Sequence, residues 1–280
     1  MNRAAQTQHP TKDRLPRYTL GTDSAAAQRL RVLDEVYHQT TWALLERAGL
    51  REGWHCADIG CGTGLVTMAM AGHVGAAGRV IGVDEAGTFI DVARQTAAER
   101  KLKNVEFGSG DAYAPPLPSA QFDLVYARCL LSHLDKPLRA IQAMTALARP
   151  GGRVVIEDID CSGVFAHPKA PALMRHLGLY QRVMRLYGGD PLIGRKLPRL
   201  CRQTGLTDVR FEVVSPSEPL KPVKRLYPLT LTCLKPAIVE AGLATARDVD
   251  ALTAELNAKV DDPDVTFPSC PMVQVWTRKS

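Results

Sequence analysis

A short apolar strand that runs into three alternating glycines and then a helix constrains this chain most. His55–Ile59 reads as the strand, and the turn is Asp58-Ile59-Gly60-Cys61-Gly62-Thr63-Gly64. Alternating glycines let a backbone bend sharply and approach a ligand without Cβ clashes. Several cofactors use such a turn, so its details matter. A dinucleotide fingerprint asks for G-x-G-x-x-G/A. Counted from Gly60 the sixth position is Leu65, and from Gly62 it is Thr67. Both registers fail. No G-x-x-x-x-G-K-S/T is present, so the turn is not a P-loop. Instead an acid, Asp58, precedes the first glycine by two.

The hydrophobic period then alternates between two and 3.6 residues. Strands are expected at 55–59, 79–84, 104–108, 122–127 and 153–159, with helices at 64–72, 88–102 and 137–148 between them. Strands alternating with helices of this length give a parallel sheet covered on both faces. A long amphipathic helix at 24–49 precedes the first strand, with Ser24 as its cap. After residue 160 the pattern is more helical, with helices at 171–187 and 192–204 and strands at 208–214 and 272–277. The stretch 219–259 reads as mostly helical but broken by Pro222, Pro228 and Pro236. The fold expected is therefore α/β: a Rossmann-like, seven-stranded, mostly parallel sheet with helices on both faces and helical cap insertions. Its expected divisions are an N-terminal helical cap segment (1–50), a cofactor-binding core (51–160) and a helical substrate-cap insertion (161–205). The remainder, 206–280, completes the sheet and carries a helical insertion at 215–262.

Composition narrows the class. The chain has 280 residues, 45% of them hydrophobic and 23% charged, which suits a packed domain rather than a disordered one. No run of apolar residues is long enough to span a membrane, and the first 17 residues lack the apolar core of a signal peptide. A cytoplasmic protein is expected. The seven cysteines are odd in number and contain no C-x-x-C pair, which argues against a disulfide framework or a zinc site. Net charge is +6, and residues 161–280 hold 17 basic and 11 acidic groups. That excess fits an anionic substrate or nucleic acid, or equally a set of solvated helix faces.

Acids stand at the ends of successive strands. Val80-Ile81-Gly82-Val83-Asp84 ends in Asp84, with Glu85 beside it, next to the glycine turn. A carboxylate there can accept both hydroxyls of a ribose, or it can cap the helix that follows. The third strand ends in Gly108-Ser109-Gly110-Asp111-Ala112, where Asp111 can accept from an adenine amine while a nearby backbone N–H donates to the ring. The fourth reads Phe122-Asp123-Leu124-Val125, and Arg149-Pro150-Gly151-Gly152 turns into the fifth.

As an ordered set over residues 50–160, these motifs resemble class I S-adenosylmethionine-dependent methyltransferases. Arg17-Tyr18-Thr19-Leu20-Gly21 before a long helix is similar to bacterial small-molecule members, of the ubiquinone and natural-product pathway type. The resemblance implies S-adenosyl-L-methionine as cofactor. It implies that Asp58 reaches the methionine amino group and that Gly60, Cys61, Gly62, Thr63 and Gly64 pass beneath that moiety. Asp84 and Glu85 would face the ribose, Asp111 and Ala112 the adenine, and Arg128 the methionine and sulfonium. Tyr18 would fold over the cofactor carboxylate. One departure is Trp54-His55-Cys56-Ala57, where the family usually has aliphatic residues.

The implied activity is methyl transfer to an O, N or C atom of a small metabolite by in-line displacement. The candidate base is His133, which follows the fourth strand; its other reading is a structural cap for the helix starting near Pro137. Glu157, Asp158 and Asp160 lie close in sequence, yet only neighbouring strand positions are evident, so no metal site is expected. Phe165, Met174, Tyr180, Met184, Tyr187 and Tyr227 are candidates for an apolar substrate wall. Gly188-Gly189-Asp190-Pro191 reads as a flexible turn suited to a lid. After the fourth strand Tyr126-Ala127-Arg128-Cys129 lacks the Asp/Asn-Pro-Pro-Tyr/Phe of DNA amino-methyltransferases and the Pro-Cys of RNA cytosine-5 enzymes. A small-molecule acceptor is expected, with no membrane partner, as a monomer or homodimer. The alternatives are a cyclase or binding module that uses the cofactor structurally, or an RNA or protein methyltransferase.

Overall fold

The computed structural model describes residues 18–217 and 220–280. Seven strands form one sheet: β1 (His55–Ile59), β2 (Arg79–Asp84), β3 (Val105–Ser109), β4 (Phe122–Arg128), β5 (Ala148–Ile159), β6 (Thr207–Val214) and β7 (Met272–Arg278). Their order is β3-β2-β1-β4-β5-β7-β6. The first five pair in parallel, and β7 lies antiparallel to both β5 and β6. The chain reverses its direction of travel across the sheet between β1 and β4. At such a switch point the loops after neighbouring strands diverge and leave a crevice at their carboxyl ends.

The helices are α1 (Ser24–Arg47), α2 (Leu65–Val74), α3 (Gly87–Glu99), α4 (Pro137–Leu147), α5 (Pro171–Leu186), α6 (Leu197–Gln203), α7 (Leu220–Glu240) and α8 (Ala246–Asn257). Expected and observed elements agree closely through α5. In β1 the small residues Cys56 and Ala57 are fully enclosed, so the departure from aliphatic residues leaves a packed strand. Asp23, not Ser24, caps α1, accepting from the Ala26 N–H at 2.9 Å. The expected helix at 192–204 is a single 3-10 turn, Gly194–Lys196, followed by the short α6. The Arg-Pro-Gly-Gly segment does not precede β5 but lies within it, as an irregularity opposite Phe122 and Leu124.

The prolines of the C-terminal helical stretch do not break it where the sequence suggests. Pro228 and Pro236 sit inside an unbroken α7, and the break falls between α7 and α8. A proline in a helix interior costs about 3 kcal/mol. Here Val223, Leu226, Tyr227, Leu231, Leu234, Ala237 and Ile238 are all buried at helical spacing. At roughly 1.5–3 kcal/mol for each large apolar side chain, that stripe outweighs the prolines. Its partners include Val32, Leu33, Val36 and Tyr37 of α1 and Leu173, Leu177, Tyr180 and Val183 of α5. The three helices thus form a layer over the carboxyl ends of the strands.

Gly188–Asp190 is anchored rather than lid-like. The Gly189 N–H donates to the Met184 carbonyl and the Asp190 N–H to the Ser132 carbonyl, both at 2.8 Å. A Cβ on Gly189 would meet the Ser132 carbonyl oxygen at 2.4 Å.

Gly64 enters α2 with φ +75°, and a Cβ there would lie 2.5 Å from Phe107. The left-handed backbone costs a non-glycine residue about 1–2 kcal/mol, and overpacking adds about 1–3 kcal/mol. Gly64→Ala is therefore expected to lower unfolding free energy by about 2–5 kcal/mol in urea titration. A change below about 0.5 kcal/mol contradicts this packing.

Candidate active site

The glycine turn is clamped to β2 from above. Gly60 and Cys61 donate N–H bonds to the Val83 carbonyl at 2.7 and 3.1 Å. The Gly62 N–H donates to Asp84 Oδ2 and the Ala86 N–H to Asp84 Oδ1, each at 2.8 Å. Gly60, Gly62 and Gly64 all have positive φ, at +74°, +54° and +75°. Cβ atoms on the first two would press on Leu130 and Leu30 at 2.9 and 3.0 Å. Asp84 thus does one thing its position suggested and one it did not. It braces the turn and the start of α3, and one acceptor site on each oxygen remains for a ligand.

Below this turn opens a cleft of about 680 Å³. Tyr18, Asp58, Gly60, Cys61, Gly62, Thr63, Asp84, Glu85, Asp111, Ala112, Arg128 and His133 all line it. Of the residues singled out in the sequence, Gly64 does not; it shapes the turn from behind. Asp111 Oδ1 accepts from the Tyr113 N–H at 2.9 Å, which holds its carboxylate at the end of β3. Tyr18 packs against His133, ring centres 4.9 Å apart, and edge-on to Phe89.

Burial sets the electrostatics. Asp58 accepts from Thr67 Oγ1 at 2.6 Å. Loss of water nonetheless lifts its carboxyl to about 7, against the opposing pull of Thr67 and Arg128. Burial also raises Asp84, while its two backbone donors pull the other way. The Tyr18 hydroxyl is pushed up to about 12, mainly by burial. His133 is held down to about 3 by burial and then by Arg29, and its Nδ1 is enclosed without a hydrogen-bond partner. It is a neutral imidazole on the cleft wall. It does not cap α4, whose first turn has no side-chain cap.

Arg128 lies on the wall but is already paired. Its guanidinium donates to Asp34 Oδ1 at 2.9 Å and to Thr41 Oγ1 at 3.3 Å. Behind it Glu157 is fully enclosed and accepts from Thr41, Tyr126 and Gln274. The neighbouring acids are equally occupied. Asp158 accepts from the Ser132 and Ile159 N–H groups, and Asp160 pairs with Arg195. Among the described residues no group of three His, Cys, Asp or Glu side chains is placed to hold a metal ion.

A smaller chamber of about 50 Å³ adjoins the cleft, sharing Arg29, Leu33, Cys129 and His133 with it. Of the aromatic and methionine candidates only Tyr180 and Tyr227 line it. Met184 is core, Phe165 and Met174 are exposed, and Tyr187 bonds Glu240 on the outside. His176 reaches the chamber and His167 does not; the latter pairs through its backbone with Thr266. Sequence reasoning missed Arg29, Leu30, Ser132 and Thr230. Arg29 had a visible signal, a charge within the apolar stripe of the first helix.

Residues 50–186 match a family described as a methyltransferase domain. Over those residues, just under half of its length, the chain is similar to the class I S-adenosylmethionine-dependent methyltransferases. An uncharacterised methyltransferase of Schizosaccharomyces pombe is 32% identical over 50% of this chain and 52% of its own. The demethylmenaquinone methyltransferase of Lactococcus lactis is 32% identical over 51% and 55%. The chain thus spans about half the length of the curated relatives it matches. The crystal structure of the [4+2]-cyclase SpnF shares the fold, with a TM-score of 0.57 over 86% of this chain and 80% of that one at 20% identity.

The family's cofactor is S-adenosylmethionine, and the cleft suits it. Its three lining aspartates, Asp58, Asp84 and Asp111, match a ligand that carries an ammonium, a sulfonium, a diol and an exocyclic amine. Leu30, Phe89 and Leu134 add apolar wall for a base. The left-handed glycines leave the floor free of the Cβ atoms that would obstruct it.

His176 is 2% exposed, and burial with Arg29 nearby holds it down to about 3. An unfolded histidine binds protons below about pH 6.5 and this one does not, so stability falls with acid. The loss at pH 5 is about 2 kcal/mol. His176→Gln is expected to flatten the stability profile between pH 7 and 5 by that amount in denaturant titrations. An unchanged slope contradicts a buried neutral ring.

Proposed function

We propose that the protein transfers the methyl group of S-adenosylmethionine to an oxygen, nitrogen or carbon atom of a small organic molecule. The observation that carries this reading is that the cofactor-sized cleft shares Arg29, Leu33, Cys129 and His133 with an inner chamber lined by α1, α5 and α7. A polymer would need an open groove there. We read the chain as a cytoplasmic protein whose segments 1–50, 161–205 and 215–262 cap the core at 51–160, with residues 1–17 and 218–219 of those segments lying outside the described residues. Among the described residues no helix is long and apolar enough to cross a membrane.

The cofactor supplies a methyl group already activated by a positive sulfur. The protein's task is then alignment and exclusion of water. In this reading Asp84 accepts from the ribose hydroxyls with Glu85 alongside, and Asp111 and the Ala112 N–H read the adenine. Asp58 accepts from the ammonium. Gly60, Cys61, Gly62 and Thr63 form the floor, shaped by Gly64. Tyr18 closes the roof. Arg128, committed to Asp34, belongs to the wall beside the methionine and holds α1 against it. His133 faces the space between cleft and chamber. A ring held near 3 is a weak base for a free alcohol. An oxygen being methylated becomes an oxonium, which is far more acidic, and with Nδ1 enclosed Nε2 is the ring nitrogen left to receive that proton.

Calorimetry with S-adenosylhomocysteine is expected to show one site per chain. Asp84→Ala should weaken it by about 2 kcal/mol, the scale of hydrogen bonds to a charged acceptor. Absence of binding contradicts the reading. With labelled cofactor, label is expected in a metabolite extract and not in RNA, DNA or protein. Tight binding without any turnover would point instead to a structural use of the cofactor.

Asp58 makes affinity depend on pH. Its carboxyl is neutral below about 7, and a bound ammonium favours the ionised form. S-adenosylhomocysteine is therefore expected to bind about tenfold tighter at pH 7 than at pH 5.5, and Asp58→Asn to abolish the difference. A flat wild-type profile contradicts the assignment. His133→Gln is expected to leave that affinity unchanged and to slow turnover about 100-fold if the ring takes the proton. A loss below about threefold leaves it a wall residue.

A further inference from the structure

The inner chamber contains one charge that the protein does not neutralise. Arg29 lies on the buried face of α1 and is 8% exposed. Its Nε donates to Thr230 Oγ1 of α7 at 3.1 Å. Among the described residues no carboxylate pairs with it and no partner engages its Nη groups. Those nitrogens are not sealed in protein either, for the residue lines both the cleft and the chamber.

Everything else around the chamber is neutral. Burial and Arg29 itself keep His133 and His176 unprotonated at physiological pH. Burial keeps the Tyr180 and Tyr227 hydroxyls protonated. The acids of the site, Asp58, Asp84, Glu85 and Asp111, line the cleft and not the chamber. The fold does pair a buried guanidinium when its role is structural, as Arg128 with Asp34 shows. An unpaired buried charge is costly, which is why removing one partner of a buried pair is strongly destabilising. A site that leaves its cation unpaired is complementary to an anion that arrives with a ligand.

We propose that Arg29 is the anchor for a carboxylate on the methyl acceptor, which is an apolar molecule carrying a single negative charge. This rests on the methyl-transfer reading of the cleft. The single uncompensated charge selects a carboxylate over a doubly charged phosphate. With Nε engaged by Thr230, the two Nη groups remain for a bidentate grip. Tyr180, Tyr227 and Leu226 line the roughly 50 Å³ around that carboxylate, and the apolar body extends past Leu33 into the cleft. The reacting atom then points back towards His133 and the cleft. Four donors on one guanidinium could also meet the cofactor's own carboxylate, and the test separates the two sources.

Benzoate, 2-naphthoate and decanoate are each titrated against the matching amide, on the unloaded protein and on protein saturated with S-adenosylhomocysteine. At least one acid is expected to bind tenfold or more tighter than its amide to the loaded protein. Arg29→Gln should erase that preference and leave S-adenosylhomocysteine affinity within twofold. Arg29→Lys should keep part of the preference, which covers the case of a poorly folding Gln variant. Equal binding of every acid and amide, or no binding of any acid, overturns the proposal. So does a tenfold loss of S-adenosylhomocysteine affinity in Arg29→Gln, which would give Arg29 to the cofactor. Failure of the wild type to bind S-adenosylhomocysteine removes the methyl-transfer reading instead. A tenfold acid preference in the unloaded protein would still support the anion site, and its absence would overturn that too.

Discussion

The clamp between the end of β2 and the glycine turn fixes everything the site needs. The Val83 carbonyl and the Asp84 carboxylate together take the N–H groups of Gly60, Cys61, Gly62 and Ala86. Three left-handed residues in five are otherwise unfavourable, and these bonds make the turn the lowest-energy path. The turn in turn sets the start of α2, the floor of the cleft and the spacing between β1 and β2. Because Asp84 is braced by backbone donors, its orientation does not depend on a ligand being present. Preorganised acceptors of this kind bind without a further ordering cost.

A second constraint acts on the opposite wall. Three polar side chains, Thr41, Tyr126 and Gln274, converge on the enclosed carboxylate of Glu157, and Arg128 with Asp34 extends the cluster to the cleft. This network ties α1 to β4, β5 and β7. It places Arg29, Leu30 and Leu33, one face of α1, over the cleft and the chamber. The N-terminal helix is therefore not an appendage: without it both cavities would open to solvent on that side. The same helix meets α7, whose buried stripe tolerates two internal prolines.

Much of the core was legible because it rests on local chemistry. The positions Asp58, Asp84 and Asp111 are strand ends, and strand ends follow from an apolar run stopping at an acid beside glycine. The order of elements through α5 follows from their periods. The failures share a cause, which is that tertiary burial outweighed a local rule. The prolines of α7 signal a break that packing overrides. Gly188–Asp190 looks mobile by composition, but Ser132 and Met184 hold it through backbone bonds from distant parts of the chain. Arg128 does line the cleft, as its position suggested, but its partner Asp34, 94 residues away, is invisible to any local pattern. The chamber is legible only in three dimensions, since α1, α5 and α7 each supply a few residues.

The central claim is that one crevice at the β1/β4 switch point holds the cofactor while the cationic chamber adjoining it anchors the acceptor. A crystal structure of the protein with S-adenosylhomocysteine tests this most directly. The account predicts ribose hydroxyls on Asp84, the amino group on Asp58, and an inner chamber whose Arg29 is not in contact with the ligand. A ligand bound elsewhere, or one whose carboxylate sits on Arg29, would contradict it.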